Sequence, residues 1–580
     1  MQTETFHIGI VGFGPKGLYS FERLLAYLNH FKVETQVNIH LFNESSSFGA
    51  GWVYHKYQPE YLLMNYPNQF ISLQPTSKPS AICEVLSFSE WLSEKQKESI
   101  IELDPKVSSR KNVGAYLCFY FEKFCSCLPN NVSVYKHITS IEDIKQKGDD
   151  FKLKTSTNSK FPLLNSIVIT TGHTPSITSK EELLNVPNNI PFVYPIEKKL
   201  SVVNPQSTVI LKGIGLTAID AILGLTEGKN GKFRLKSNNE YSYLKSGNEP
   251  KIIYPYSRSG IPIIPRGESA LNYEQTSFFL KDFIASQNFK PDSLDFETDV
   301  LPIIKQDIIG EFYNTLFQLH NVSYGQYEDF NGLKKRIEKF HKEHPEIEKF
   351  EAENLFAPTL ALNVASFKNV YEFWSFWCLE NEKAKSPYVA AASAWRYLSK
   401  DFNLLYSQQK LTKKSKQLFQ TKYFGLFNKI SYGPPLVNIK KMLALIEVNI
   451  LDFSFSESPT ISENTISNSN QSSTYDWLID ARLPRGFSNS KSVLFNSENS
   501  AKLFTTTKVS NTTHELHCTN TGHPINKDGK PLKSIVLYGT PTENILFDND
   551  TLSRTHNDTV SGWAKNIAKH LSVTTQLISS

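Results

Sequence analysis

The chain has 580 residues, with 62 lysines and arginines against 57 aspartates and glutamates, a net charge of +5. That length exceeds one ordinary core, so roughly two to four domains or subdomains are predicted, and 40% hydrophobic with 12% aromatic residues excludes wholesale disorder. No Lys/Arg block makes an electrostatic case for nucleic acid, and no apolar run reaches the roughly 20 residues of a membrane helix. The six cysteines, Cys83, Cys118, Cys125, Cys127, Cys378 and Cys518, show no metal or redox spacing. Reduced thiols in a cytoplasmic protein are the simplest account. No signal peptide is read, because the first apolar run already belongs to the first strand.

Residues 8–18 read IGIVGFGPKGL. An apolar strand, a G-x-G-x-x-G turn and an amphipathic run, LYSFERLLAYL, make the opening of a dinucleotide-binding βαβ unit. Gly12 suits the tight turn, Gly14 the approach of a pyrophosphate, and Gly17 close packing of helix on strand. Pro15 lies within this turn as a further cofactor contact, and the helix start that follows offers free N–H groups and a positive dipole end to the phosphates. VNIHLF at 37–42 is the second strand, and its end is where an acid meets the ribose. Glu44 is the candidate there, with Asn43 where an acid would be usual. Gly49, Gly51 and Trp52 in FGAGWVY, followed by LLMNYP, read either as backbone beside a flat ligand or as a surface loop. Asn65 reads as a hydrogen-bond partner of a cofactor ring or as a turn residue.

Residues 110–128 are predicted helical, and 132–134 and 151–153 short strands flanking a hairpin. SIVIT at 166–170 is a buried strand that ends in Thr171, Gly172 and His173. His173 is read as a flavin neighbour or as a histidine held by backbone. A second glycine turn follows STVILK: Gly213, Gly215, Leu216 and Thr217 belong to a G-x-G-x-x-A pattern in which Ala218 takes the third place. Its second strand is KIIYPY at 251–256, and Arg258 at that strand's end favours the extra phosphate of NADP, with Arg266 close behind. Asp220 is read as a capping or packing residue.

Residues 271–445 show helical spacing without sustained alternation. Residues 453–474 are polar and read as an exposed loop or disordered hairpin. A strand at 477–479, another at 535–538 leading into Gly539, Thr542 and Glu543, and a terminal helix at about 559–571 return the chain to its nucleotide domains. The predicted architecture is α/β: two Rossmann-type dinucleotide-binding domains with a large helical insert. Its parts are a first nucleotide-binding portion (1–200, the FAD portion by the resemblance given next), an NADP-binding portion (201–270), the helical insert as substrate region (271–445), and a return that completes the first domain (446–580).

With these landmarks in order, the chain resembles a bacterial family of FAD/NAD(P)-binding proteins with paired Rossmann units. The stretches that carry the resemblance are HIGIVGFGPKGLYSFERLL, FGAGWVYH, LLMNYP, VITTGHTP, KGIGLTAIDAILGLTEG, SRSGIPIIPRG, LDFETDVLP, SYGPP, LIDARLP and YGTPTEN. Their order and spacing are specific, although no single one is. The resemblance implies FAD at Gly12, Gly14, Gly17 and the Glu44 region, lined by Thr171, Gly172 and the segment from Gly539 to Glu543. It implies NADPH at Gly213, Gly215 and Arg258. That family is related to N-hydroxylating flavin monooxygenases, whose members oxidise amino-acid amines, including aspartate.

Two dinucleotide sites imply a visiting electron donor and a resident flavin. The first reading is a flavin monooxygenase that uses NADPH and O2 to hydroxylate a small amine or amino acid through a C4a-hydroperoxyflavin. Water would be excluded by the helical insert and by aromatic walls such as Trp52, Tyr54 and Tyr66. The partners are then a small-molecule substrate and O2, with no nucleic acid and no membrane. The alternatives are a reductase passing electrons to an acceptor such as a quinone, and a non-enzymatic flavin or NADPH sensor. No catalytic acid or base and no metal ligand is read.

Overall fold

In chain order, the elements that position the glycine turns in the computed structural model are β1 (Phe6–Val11), α1 (Pro15–His30), β2 (Val37–Asn43), α2 (Arg110–Ser126), β3 (Val132–Ile138), β4 (Ser166–Ile169), β5 (Asn189–Ile190), β6 (Thr208–Lys212), α3 (Leu216–Leu225), β7 (Ile252–Tyr256), α4 (Phe279–Ser286), α5 (Leu301–Leu319), α6 (Phe424–Ser431), β8 (Trp477–Asp480), β9 (Ile535–Leu537) and α7 (Val560–Ser579). The structure describes residues 5–98, 106–172, 188–266, 274–323, 329–356, 369–483, 487–488, 493–508, 513–543, 545–549, 551–552, 554 and 557–579. Two units divide the chain: Met1–Leu62, Tyr66–Glu181 and Leu483–Ser580 form the first, Leu63–Asn65 and Glu182–Arg482 the second.

The first unit is built on a parallel sheet of order β9-β4-β1-β2-β3. Ile8, Ile10 and Val11 of β1 are buried because central parallel strands lose both faces to packing. α1 is buried along most of its length, from Gly17 to Leu28, and packs on α7 and α2. The antiparallel strands Ile141–Lys147 and Asp150–Thr155 contribute Ile144, Phe151 and Leu153 to the core that also holds Val11, Ile169 and Leu537. The predicted strand at 132–134 is in fact the start of β3, seven residues long, which pairs in parallel with β2 from Val37↔Val132 to Asn43↔Ile138. Three adjacent strands also stack His7, His40 and His137. His40 Nε2 lies 3.2 Å from His7 Nδ1, and His40 Nδ1 lies 3.1 Å from His137 Nε2. Burial, then the neighbouring imidazoles, push His40 down to about 4.

The second unit carries a parallel sheet of order β7-β6-β8-β5. Its helices fill much of 279–447, as helical spacing predicted. The polar stretch read as an exposed loop or disordered hairpin folds instead into three short antiparallel strands, Thr460–Ile461, Thr465–Ser467 and Ser472–Thr474. Ile466 and Tyr475 from this region pack with Ile210 and Tyr256 of the parallel sheet, which supplies the apolar contact that the segment's own composition lacks. Two carboxylates one turn apart on α5 hold the start of α4. Asp307 accepts backbone N–H bonds from Phe279 and Leu280 at 2.8 Å each, and Glu311 accepts from Thr276 and Ser277 at 2.7 and 2.8 Å. Burial pushes both carboxyl groups up to about 7, against those hydrogen bonds.

Candidate functional site

The first glycine turn lies at the C-terminal edge of the first unit's sheet, where open α/β sheets take their ligands. Gly12 has φ +85°, a left-handed conformation that a side chain resists, and a Cβ on it would meet the Thr170 carbonyl oxygen at 2.9 Å. Gly12 N–H donates to the Phe42 carbonyl at 2.9 Å, and the Thr170 hydroxyl donates to the Gly12 carbonyl. β1, β2 and β4 thus pin the turn together. A Cβ on Gly17 would stand 2.4 Å from the Gly12 carbonyl oxygen, so glycine there is what lets α1 seat on the strand. Gly14 differs: a Cβ there meets nothing nearer than Gly51 Cα at 3.7 Å. What Gly14 leaves clear is room beside the α1 N-terminus, which fits a pyrophosphate.

Around that turn the structure gathers several residues singled out in the sequence. Pro15 is the first residue of α1. Gly49 N–H donates to the Phe13 carbonyl at 2.8 Å, and Gly51 lies against Gly14. Thr171 N is 2.9 Å from where a Cβ of Gly12 would be, while Gly172 is exposed with nothing within 4 Å of a Cβ. Gly539 approaches α1 through Lys16, whose Cγ would lie 3.1 Å from a Cβ. Thr542 is buried and donates its hydroxyl to the Gly539 carbonyl at 2.7 Å, and Glu543 N–H donates to Thr540. Glu44 stands exposed just past β2. Asn43 ties the turn to the loop after β2, since its Oδ1 accepts from Phe13 N–H at 3.3 Å and its Nδ2 donates to the Ser45 carbonyl at 2.8 Å. Trp52 is 42% exposed, and its carbonyl accepts from Gln58 at 2.9 Å. His173 lies outside the described residues.

The second unit repeats the arrangement at β6. Gly213 has φ +130°, a Cβ on it would meet the Ala481 carbonyl oxygen at 2.9 Å, and its N–H donates to the Tyr256 carbonyl at 2.8 Å. Gly215, the N-cap of α3, has nothing within 4 Å of a Cβ, and Leu216 and Thr217 start the helix. Ala218 is buried at the third position. Asp220 packs rather than faces a ligand, accepting a hydrogen bond from the Tyr194 hydroxyl inside the unit. Arg258 is exposed just past β7, its Nη2 making a long 3.5 Å contact to the Thr421 carbonyl. Arg266 instead donates to the Asn65 carbonyl at 3.0 Å, and its backbone N–H to the Pro434 carbonyl at 2.7 Å. Asn65, grouped with this second unit, donates to the Tyr432 carbonyl at 3.2 Å. Lys429 of α6, which had no sequence signal, donates to Ser259 Oγ at 2.9 Å and to the Ile261 carbonyl at 2.8 Å. Burial, then Arg258, push it down to about 8.

Two parallel sheets each carry a pinned glycine turn leading into a helix. Residues 9–174 match the FAD-NAD(P)-binding family. That stretch carries the first parallel sheet's glycine turn, and the second unit repeats the strand, glycine turn and helix on a parallel sheet of its own, an α/β fold with two Rossmann-type units. The chain is 27% identical over 484 residues to a nitrosuccinic acid synthase of Aspergillus oryzae, covering 77% of this chain and 72% of that one. It is 26% identical over 352 residues, 54% of each chain, to a nitrosuccinate-forming L-aspartate N-monooxygenase of Streptomyces davaonensis. Among solved structures, the ornithine N-hydroxylase of Kutzneria sp. 744 superposes with a TM-score of 0.44 at 12% identity, over 98% of this chain and 99% of that one. Among the described residues no group of His, Cys, Asp and Glu could hold a metal ion, and no helix is long and apolar enough to cross a membrane.

Proposed function

We propose that this protein is an FAD-dependent, NADPH-using monooxygenase that oxidises the amine nitrogen of a small amino acid, with aspartate the first substrate to test. The observation that carries the reading is the doubled glycine turn: one chain holds two dinucleotide sites, as a donor and an acceptor of hydride require. The similarity to two enzymes named for making nitrosuccinate supplies the substrate class.

In this reading Gly12, Gly14, Pro15 and Gly17 hold the FAD diphosphate on the α1 N-terminus, with Glu44 at the ribose and Thr171, Gly172 and Gly539 beside the cofactor. Gly213, Gly215 and Thr217 hold NADPH on α3, and Arg258 takes its 2′-phosphate. Bound FAD supplies the redox chemistry, accepting hydride and activating O2. The residues of the chain bind, orient and shield; none of them need form a covalent bond to substrate. Arg266, committed to Asn65, shapes the second unit rather than reading the phosphate.

The test is O2 uptake by the FAD-loaded enzyme with NADPH, with and without L-aspartate, and mass analysis of the product. Aspartate-dependent uptake that yields N-oxygenated succinate supports the reading. NADPH oxidation that never couples to aspartate or to any of a panel of amino acids overturns it. Anaerobic turnover with a quinone and no oxygenated product would favour a reductase.

A further inference from the structure

The first unit buries two arginines against one glutamate. Glu22 of α1 accepts from Arg23 Nη2 at 2.7 Å and Nε at 2.8 Å, and from Arg554 Nη2 at 2.8 Å. Arg23 also donates to the Pro79 carbonyl at 2.9 Å, so its duties are structural. Arg554 is different. Its side chain is 5% exposed, yet its Nε and Nη1 have no hydrogen-bond partner among the described residues. A buried guanidinium with unmet donors is costly, and such groups call for an explanation. Its plane lies over the Tyr19 ring, 3.2 Å from the centroid. Asp558 adds negative charge nearby, but its hydrogen bonds go to other groups: it accepts from the Tyr19 hydroxyl at 3.2 Å and from Ser561 N–H at the start of α7.

Arg554 lines a pocket with Pro15, Lys16 and Tyr19 from the first turns of α1, and with Tyr116 and Tyr538. Lys16 Nζ sits 4.7 Å above the Tyr538 ring, at the same helix start. The pocket therefore combines the positive end of a sixteen-residue helix, a lysine, a buried arginine with two donor nitrogens unpartnered among the described residues, and aromatic walls. We propose that Arg554, with Lys16, forms an anion site beside the first glycine turn, which takes a phosphate or carboxylate group carried on a flat or partly apolar molecule. Two molecules offer that chemistry: FAD, through its diphosphate, and an amino-acid substrate, through a carboxylate. Only the second source rests on the function proposed above.

Binding measurements on the full chain separate them. FAD is titrated into flavin-stripped protein, and L-aspartate into FAD-loaded protein under argon without NADPH, read by the flavin difference spectrum. The variants are Arg554→Met, Arg554→Lys and Lys16→Met, each checked by circular dichroism and melting temperature. Arg554→Met is expected to weaken one of the two ligands by roughly ten- to a hundredfold, the loss of a charged hydrogen bond. Arg554→Lys should weaken the same ligand less, and Lys16→Met should weaken that ligand too. A change confined to FAD assigns the anion to the diphosphate, and one confined to aspartate assigns it to the carboxylate. If wild-type protein shows no aspartate response, the substrate reading fails, while the FAD titration still decides the site. If Arg554→Met does not fold, the lysine variant carries the test. FAD and aspartate affinities within threefold of wild type in the folded arginine variants overturn the proposal.

Discussion

A Cβ placed on Gly17 would come within 2.4 Å of the carbonyl oxygen of Gly12, whereas one on Gly14 would meet nothing closer than 3.7 Å. Two glycines of one turn therefore answer to different constraints. Gly17→Ala is expected to destabilise the first unit by about 1–3 kcal/mol, because backbone on both sides must shift. Gly14→Ala should leave melting within about 0.5 kcal/mol of wild type while weakening FAD at least tenfold, about 1.4 kcal/mol. Thermal melts of flavin-stripped protein and FAD titrations read the two effects apart. Equal loss of stability in both variants would contradict this division.

The second turn offers the same contrast. Gly213 has φ +130° with the Ala481 carbonyl behind it, and Gly215 has open space. Gly213→Ala should lower the stability of the second unit. Gly215→Ala should keep stability and raise the Kd for NADP⁺, measured by calorimetry with FAD retained.

Arg258 and Arg266 are separated by their commitments. Arg258→Ala is expected to reduce preference for NADPH over NADH by roughly tenfold or more, the value of a charged contact to phosphate. Arg266→Ala should leave that preference and instead destabilise the second unit, since Asn65 loses its donor. The ratio of kcat/KM for the two nucleotides in flavin reduction checks both.

The two units are expected to respond to pH with opposite signs. His40 is held at about 4 in the fold, below its ordinary value near 6.5, so the unfolded chain binds the proton more readily between those values. First-unit stability is then full above about 6.5 and is lost as pH falls toward 4. Asp307 and Glu311 are raised to about 7, so their contribution is full below about 4 and is lost as pH rises through 7. Hydrogen exchange at pH 5 and pH 7.5 should show first-unit amides less protected, and second-unit amides more protected, at the lower pH. His40→Gln should flatten the first trend and Glu311→Gln the second.

Much of this arrangement was legible in the chain because it is local. IGIVGFGPKGL and VILKGIGLTAI each place strand, turn and helix within one stretch, and Arg258 follows directly on a strand. β3 was only partly legible: VSVYKHI alternates enough for a strand, but nothing in it tells of a parallel partner at 37–43. The small sheet at 460–474 was hidden because serine, threonine and asparagine read as loop, and the apolar surface that stabilises it belongs to Ile210 and Tyr256. Arg554 was out of reach for a different reason. It meets Glu22 across 532 residues, and no spacing rule spans that interval.

The order of the segments has a consequence for making the protein. The second unit is nearly continuous in the chain, but the first waits for its last segment: β4 meets β9 across 368 residues at the Ser166–Ser534 contact. At a translation rate of about 5–20 residues per second, the apolar edge of β4 stays unpaired on the ribosome for roughly 20–70 seconds. During that interval it is a template for other nascent chains. Soluble yield should therefore depend on holdase chaperones and slow, cool expression.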